Sequence, residues 1–185
     1  MKKPAVIRGI IYTAICLGLI GLDQLTKWII TETLYYGEFI PVIKDFFSIS
    51  HVLNTGAAWG VLADHTWLLS CVTFLACLIL GYLIAVSTHK WFTAAYLMIL
   101  SGALGNLVDR IFRGEVVDFL SFCFGTYDFP SFNVADICIT CGCILLMILV
   151  LFSSKEEHKL FKKGSLAARF LTSKKKTEEE DASVQ

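Results

Sequence analysis

The chain has 185 residues, 56% of them hydrophobic and 17% charged, with 16 basic and 16 acidic side chains. Together with a mean hydropathy of +0.66, this balance excludes an ordinary soluble globular domain, in which about a quarter of residues are charged, and points to an integral membrane protein. No nucleic-acid partner is expected.

In chain order, the apolar residues gather into four runs: Gly9 to Ile30, Thr66 to Val86, Trp91 to Val108 and Val134 to Phe152. Each is close to the roughly 20 residues a helix needs to cross about 30 Å of hydrocarbon. The fold class expected is therefore an all-α membrane bundle, with four transmembrane helices in one domain over residues 1–152. The first run follows Lys2, Lys3 and Arg8, as the core of a secretory leader would, but Asp23-Gln24-Leu25-Thr26-Lys27-Trp28 follows it in place of small residues. It reads as a retained span.

The Lys and Arg distribution orients the bundle. With the N-terminus inside, Lys2, Lys3, Arg8, Lys90 and the eight basic residues between Lys155 and Lys176 lie inside, and only Lys27, Lys44, Arg110 and Arg113 lie elsewhere. Both termini are then cytoplasmic and the two longer loops face outward. Asp23 and Lys27, four residues apart near the end of span one, share a helical face and can pair.

The first outer loop, Thr31 to His65, contains Phe46-Phe47-Ser48-Ile49-Ser50-His51-Val52-Leu53. Its β-branched and aromatic residues with partial alternation predict a short sheet on the membrane surface, a platform for an extended peptide. Asn54-Thr55-Gly56-Ala57-Ala58-Trp59-Gly60 follows. Asn54 brings an amide, and small residues such as Gly56 permit close backbone approach. Spans two and three carry no ionisable residue until the outer end of span three. There Asn106 lies one turn past Gly102 and should point into the bundle, ahead of Asp109, Arg110 and Arg113 as an interfacial ion cluster. Glu115 to Phe122 reads as a strand or extended loop holding Asp118 amid apolar residues. Gly125 to Phe132, with Pro130, reads as a turn leading to Asn133 and to Asp136 at the start of span four. Residues 153–185 form a tail, basic and then acidic, expected to be solvated and flexible.

Ionisable groups beside lipid cost a few kcal/mol each unless paired, solvated or facing a cavity. Two carboxylates brought together share a proton, so one serves as base and the other as acid. Asp118 and Asp136, both at the outer face, fit that role for hydrolysis of a peptide bond through an attacking water. A serine or cysteine mechanism would want a histidine base, and none lies between His89 and His158. Six of the seven cysteines lie within the apolar runs, Cys138 and Cys141 form an isolated CxxC, and the four histidines lack HExxH spacing. No metal or cofactor is expected.

Asp23 with Lys27, NTGAAWG, GALGNLVDR, VVDF and FNVAD occur in this order across the four spans. Together they resemble the motif set of the lipoprotein signal peptidase family, also called signal peptidase II. The resemblance covers residues from about 20 to 140 and implies a metal-free aspartic endopeptidase of the bacterial inner membrane. Such an enzyme removes the signal peptide of prolipoproteins just before a diacylglyceryl-modified cysteine. It implies Asp118 and Asp136 as the catalytic dyad, with Asp23, Lys27, Asn54, Gly56, Asn106, Asp109, Arg110 and Asn133 as supporting or substrate-binding positions. The substrate it implies is lipid-anchored; contact with membrane lipids and a monomeric enzyme are expected. Ser101 before GALGN and Trp59 in NTGAAWG depart mildly from the pattern. The competing reading is a small proton-coupled transporter subunit, against which stands the gathering of Asp23, Asp109, Asp118 and Asp136 near one face.

Overall fold

A computed structural model describes residues 3–56, 65–152, 161, 165 and 166. In chain order these form α1 (Lys3–Thr33), β1 (Phe39–Ile43), β2 (Phe47–Asn54), α2 (Thr66–Val86), α3 (Lys90–Phe112), β3 (Val116–Phe124), β4 (Tyr127–Phe132) and α4 (Val134–Phe152). All four helices are long and apolar enough to cross a membrane. Helices α1 and α3 run past the apolar stretches that announced them. At 31 residues, α1 is about 46 Å long at 1.5 Å per residue, longer than the roughly 30 Å of hydrocarbon it would cross.

Helix α3 is the centre of the bundle, packing against α1, α2 and α4, and most of its residues from Phe92 to Asp109 are buried. Its contact with α4 depends on missing side chains. A Cβ added at Gly102 would lie 2.2 Å from the Ala135 carbonyl oxygen, and one at Gly142 would lie 2.7 Å from Ile99 Cγ1. We expect Gly102→Ala to lower stability by about 1–3 kcal/mol, the usual range for overpacking, measured as a fall in thermal midpoint in detergent. Since Gly102 meets a backbone oxygen rather than a flexible side chain, the helices themselves must separate.

The four strands form one antiparallel sheet in the order β1-β2-β3-β4. It is larger than the short sheet expected, and Gly125 to Phe132 is mostly strand β4, reached through Gly125 at φ 69°. Pro130 is tolerated because β4 is an edge strand, where a missing N–H donor interrupts no ladder. Gly114, at φ 82°, ends α3 and turns the chain into β3, a conformation other residues adopt at a cost. Val117 and Phe119 of β3 pack with Ile30 of α1 and Leu34 just beyond it, so the sheet rests on the end of the first span. Alternation along the strand turns Asp118 to the opposite face. The NTGAAWG residues beyond Gly56, and nearly all of the charged tail, lie outside the described residues.

Candidate active site

The site is built where β3, the end of β2, the first turn of α4 and the C-terminal halves of α1 and α3 converge. Asp118 sits opposite Val52 in the β2–β3 pairing, while Asn54 sits opposite Val116. This makes Asn54 and Asp118 diagonal neighbours on one face, within reach of each other's side chains. Asn54 Nδ2 donates to Asp118 Oδ2 at 2.9 Å. The amide is fixed in that sense because Asn54 Oδ1 accepts the Gly56 N–H at 2.9 Å.

Asn133 stands immediately before α4 and joins the two carboxylates. Its Nδ2 donates to Asp118 Oδ1 at 2.6 Å and to Asn106 Oδ1 at 3.1 Å. Its Oδ1 accepts the Asp136 N–H at 3.0 Å, and its own N–H donates to Asp136 Oδ2 at 3.1 Å. The latter two bonds make a reciprocal cap of the capping-box kind, with Asn and Asp in place of Ser/Thr and Glu. The residue pattern that starts the helix therefore also holds Asp136 beside Asp118. Asn106 completes the frame, donating from Nδ2 to Asp136 Oδ1 at 2.8 Å.

Behind this frame lies a buried charge cluster. Lys27 Nζ is 2.8 Å from Asp23 Oδ2 and 2.8 Å from Asp109 Oδ2, and it donates to Asn106 Oδ1 at 2.8 Å. Three partners match the three hydrogens of an ammonium, which explains how a fully buried lysine is tolerated. Asp23 Oδ1 also accepts the Ala135 N–H at 2.8 Å, joining α1 to the start of α4. Arg113 Nη1 approaches Asp109 Oδ1 at 3.5 Å, so the expected ion cluster is formed by Asp109 with Lys27 and Arg113. Arg110 turns elsewhere: its Nη2 donates to the Gly56 carbonyl at 3.1 Å, tying α3 to the segment after β2.

Every residue singled out in the sequence is thus brought to one place, Gly56 through its backbone. Gln24 was not singled out. Its Nε2 lies within hydrogen-bond distance of the Gly105 carbonyl (3.1 Å), Asp109 Oδ1 (3.2 Å) and Asp23 Oδ2 (3.3 Å). The signal was an amide directly after Asp23 in a helix that must bury that end, but a lone glutamine near an interface specifies no partner.

Electrostatically, Asp118 is held far from its ordinary state. Burial is the main cause, with the neighbouring Asp136 charge adding to it, and together they outweigh the Asn54 and Asn133 bonds and the Lys27 charge; its pKa rises from 3.8 to about 7. Charge balance points the same way. Asp23, Asp109, Asp118 and Asp136 face Lys27, Arg110 and Arg113, four acids against three bases, so one shared proton makes the group neutral.

Residues 15–152 match the family model described as Signal peptidase (SPase) II. A lipoprotein signal peptidase of Bacillus pumilus (strain SAFR-032) is 41% identical over 152 residues, 80% of this chain and 97% of that protein. One from Azoarcus sp. (strain BH72) is 40% identical over 161 residues, covering 84% and 91%. A solved structure described as a bacterial membrane enzyme, determined by the in meso method at 2.3 Å resolution, superposes with a TM-score of 0.73 at 33% identity, over 84% of this chain and 93% of that one. The matched residues span most of α1 and all of the later elements, the polar cluster lying within them, and the chain belongs to the signal peptidase II family.

Proposed function

We propose that Asp118 and Asp136 are the catalytic dyad of an aspartic endopeptidase. Membership of the family makes the chain a membrane protease that removes signal peptides from prolipoproteins; the catalytic type and the residues are our reading. The observation that carries it is Asn133, whose side chain and backbone hold both carboxylates at once.

In the resting site the two carboxylates share one proton. The ionised one takes a proton from a water, which attacks the scissile carbonyl carbon, while the protonated one donates a hydrogen bond to the carbonyl oxygen. The tetrahedral intermediate collapses as the C–N bond breaks. A proton passes to the leaving amine, and the dyad returns to its single-proton state. Asn54, Asn106 and Asn133 keep the carboxylates aligned, Lys27 fixes Asn106, and Arg110 holds the Gly56 segment beside the dyad. The bond cut is the one before a diacylglyceryl-modified cysteine. The chain works as a monomer in the bacterial inner membrane, with both termini cytoplasmic and the dyad at the outer face.

The test is cleavage of a diacylglyceryl-modified prolipoprotein by the purified protein in lipid with chelator present, followed against pH. The single-proton state is lost as Asp118 ionises, so kcat/KM should fall tenfold per unit above pH about 7. A profile flat for two units beyond that point would overturn the dyad. The stability sign runs the same way. A raised carboxyl pKa binds the proton more tightly in the folded state, so this contribution is full below the ordinary carboxylate range and is lost as pH rises from 3.8 to about 7.

A further inference from the structure

The edge strand β1 is unlike the rest of the sheet. All five of its residues are exposed, and all five are apolar: Phe39, Ile40, Pro41, Val42 and Ile43. Successive side chains in a strand point to opposite faces, and the pairing with β2 puts Phe39 and Pro41 on one side and Ile40 and Ile43 on the other, with Val42 in a bulge between Pro41 and Ile43. A half-buried strand alternates apolar with polar residues. This one is apolar on both sides, with Ile40 at 45% and Val42 at 58% exposure. A long, exposed, hydrophobic edge is an aggregation hazard in water, and contiguous apolar patches of this kind mark an interaction surface.

The fold fixes where this strand lies. His51 of β2 is bonded through Nδ1 to the Leu34 carbonyl just beyond α1, at 3.0 Å. The same residue pairs by its backbone with Gly37 and Glu38, and the sheet core packs on Ile30 and Leu34. The start of strand β1 is thereby pinned beside the end of the first span. Exposed Leu25, Trp28 and Ile29 lead up the outside of α1, past exposed Glu32 and Thr33, to the exposed rings of Tyr35 and Tyr36 just before β1. Aromatic rings at that height are typical of the membrane–water boundary.

We propose that β1 lies in the boundary between headgroups and acyl chains, so that the sheet carrying Asp118 is moored to the bilayer along this edge. The boundary suits the strand better than the hydrocarbon core. The outer edge of β1 has unpaired backbone groups, which cost several kcal/mol each in hydrocarbon but find water and headgroup oxygens at the boundary, and Pro41 removes one such donor. Lys44 at the hairpin tip can extend its ammonium toward lipid phosphate. Mooring on this side, away from the α4 end, sets the depth of the dyad relative to the leaflet. It rests on the chain being a membrane protein and not on the assignment of the dyad.

The test places a tryptophan at Ile40 or, in the bulge, at Val42, and reads the added emission as the difference from the parent protein in phosphatidylcholine vesicles. We expect both Ile40→Trp and Val42→Trp to lose at least half of the added emission when the lipid is brominated high on its acyl chains, and to be shielded from aqueous acrylamide. Ready quenching by acrylamide with none by bromolipid would place the strand in water and overturn the proposal. Quenching by neither would mean that protein, such as a second copy of the chain, covers the edge, and would overturn it equally. Because the readout is emission, a dead dyad would leave it unaffected.

Discussion

Asp118→Asn and Asp136→Asn should each reduce cleavage by roughly 10²–10⁴-fold, the scale of a lost general acid or base, while the protein remains folded. The amide keeps the shape of the carboxyl but cannot exchange the proton. The hydrogen-bond network adds a second, smaller effect. Both oxygens of Asp118 accept amide hydrogens, from Asn54 and Asn133, and both oxygens of Asp136 accept from Asn106 and the Asn133 N–H. Replacing one oxygen by NH2 sets donor against donor at one of these contacts. The neighbours cannot easily turn to relieve it: Asn54 is held by Gly56 and Asn106 by Lys27. Each variant should therefore also lose about 1–3 kcal/mol of stability, the cost of one unsatisfied buried group. Measured together, initial rates on a lipidated prolipoprotein and thermal midpoints in detergent separate the two effects. Activity within a few-fold of the parent in either well-folded variant would remove that aspartate from the chemistry.

The spans were legible because hydrocarbon imposes a length and a composition that nothing else in the chain shares. The polar cluster was legible for the converse reason: Asp23, Lys27, Asn106, Asp109 and Asp136 fall at or near the ends of apolar helices, where they must converge or be costly. The Asp23–Lys27 pair followed from i,i+4 spacing, and the structure adds that it is completed by Asp109 and Asn106 from α3. Less of the sheet could be read. Strand β1 is too short and too uniformly apolar to show a period, and Pro130 disguised β4 as a turn. Gln24 escaped because its worth depends on the Gly105 carbonyl and Asp109, more than eighty residues away. The gathering of acids, which counted against a proton relay, appears in the structure as one cluster, and the family assignment leaves the transporter reading unsupported.

Lys27→Met should be the most damaging single change outside the dyad. The side chain has similar reach and no charge, so Asp23 and Asp109 would be left facing each other in the interior with only Gln24, Arg113 and the Ala135 N–H to hold them. Removing one partner of a buried ion pair costs about 3–5 kcal/mol. Activity should fall as well, for a separable reason: without Lys27 the Asn106 oxygen keeps only the longer bond from Asn133 Nδ2, at 3.1 Å, so Asn106 holds Asp136 less firmly. A second substitution distinguishes these consequences. In Lys27→Met with Asp109→Asn, one of the two stranded carboxylates is neutral, so the pair should be more stable than Lys27→Met alone, although Asp109→Asn in the parent is destabilising. That reversal of sign is the mark of direct coupling in a double-mutant cycle. Cleavage by the double variant should remain low, because neutralising Asp109 does not restore the Lys27 bond to Asn106. Additive losses of stability would mean that the three charges do not act as one unit, and full recovery of activity in the double variant would mean that Lys27 serves the dyad through its charge rather than by orienting Asn106.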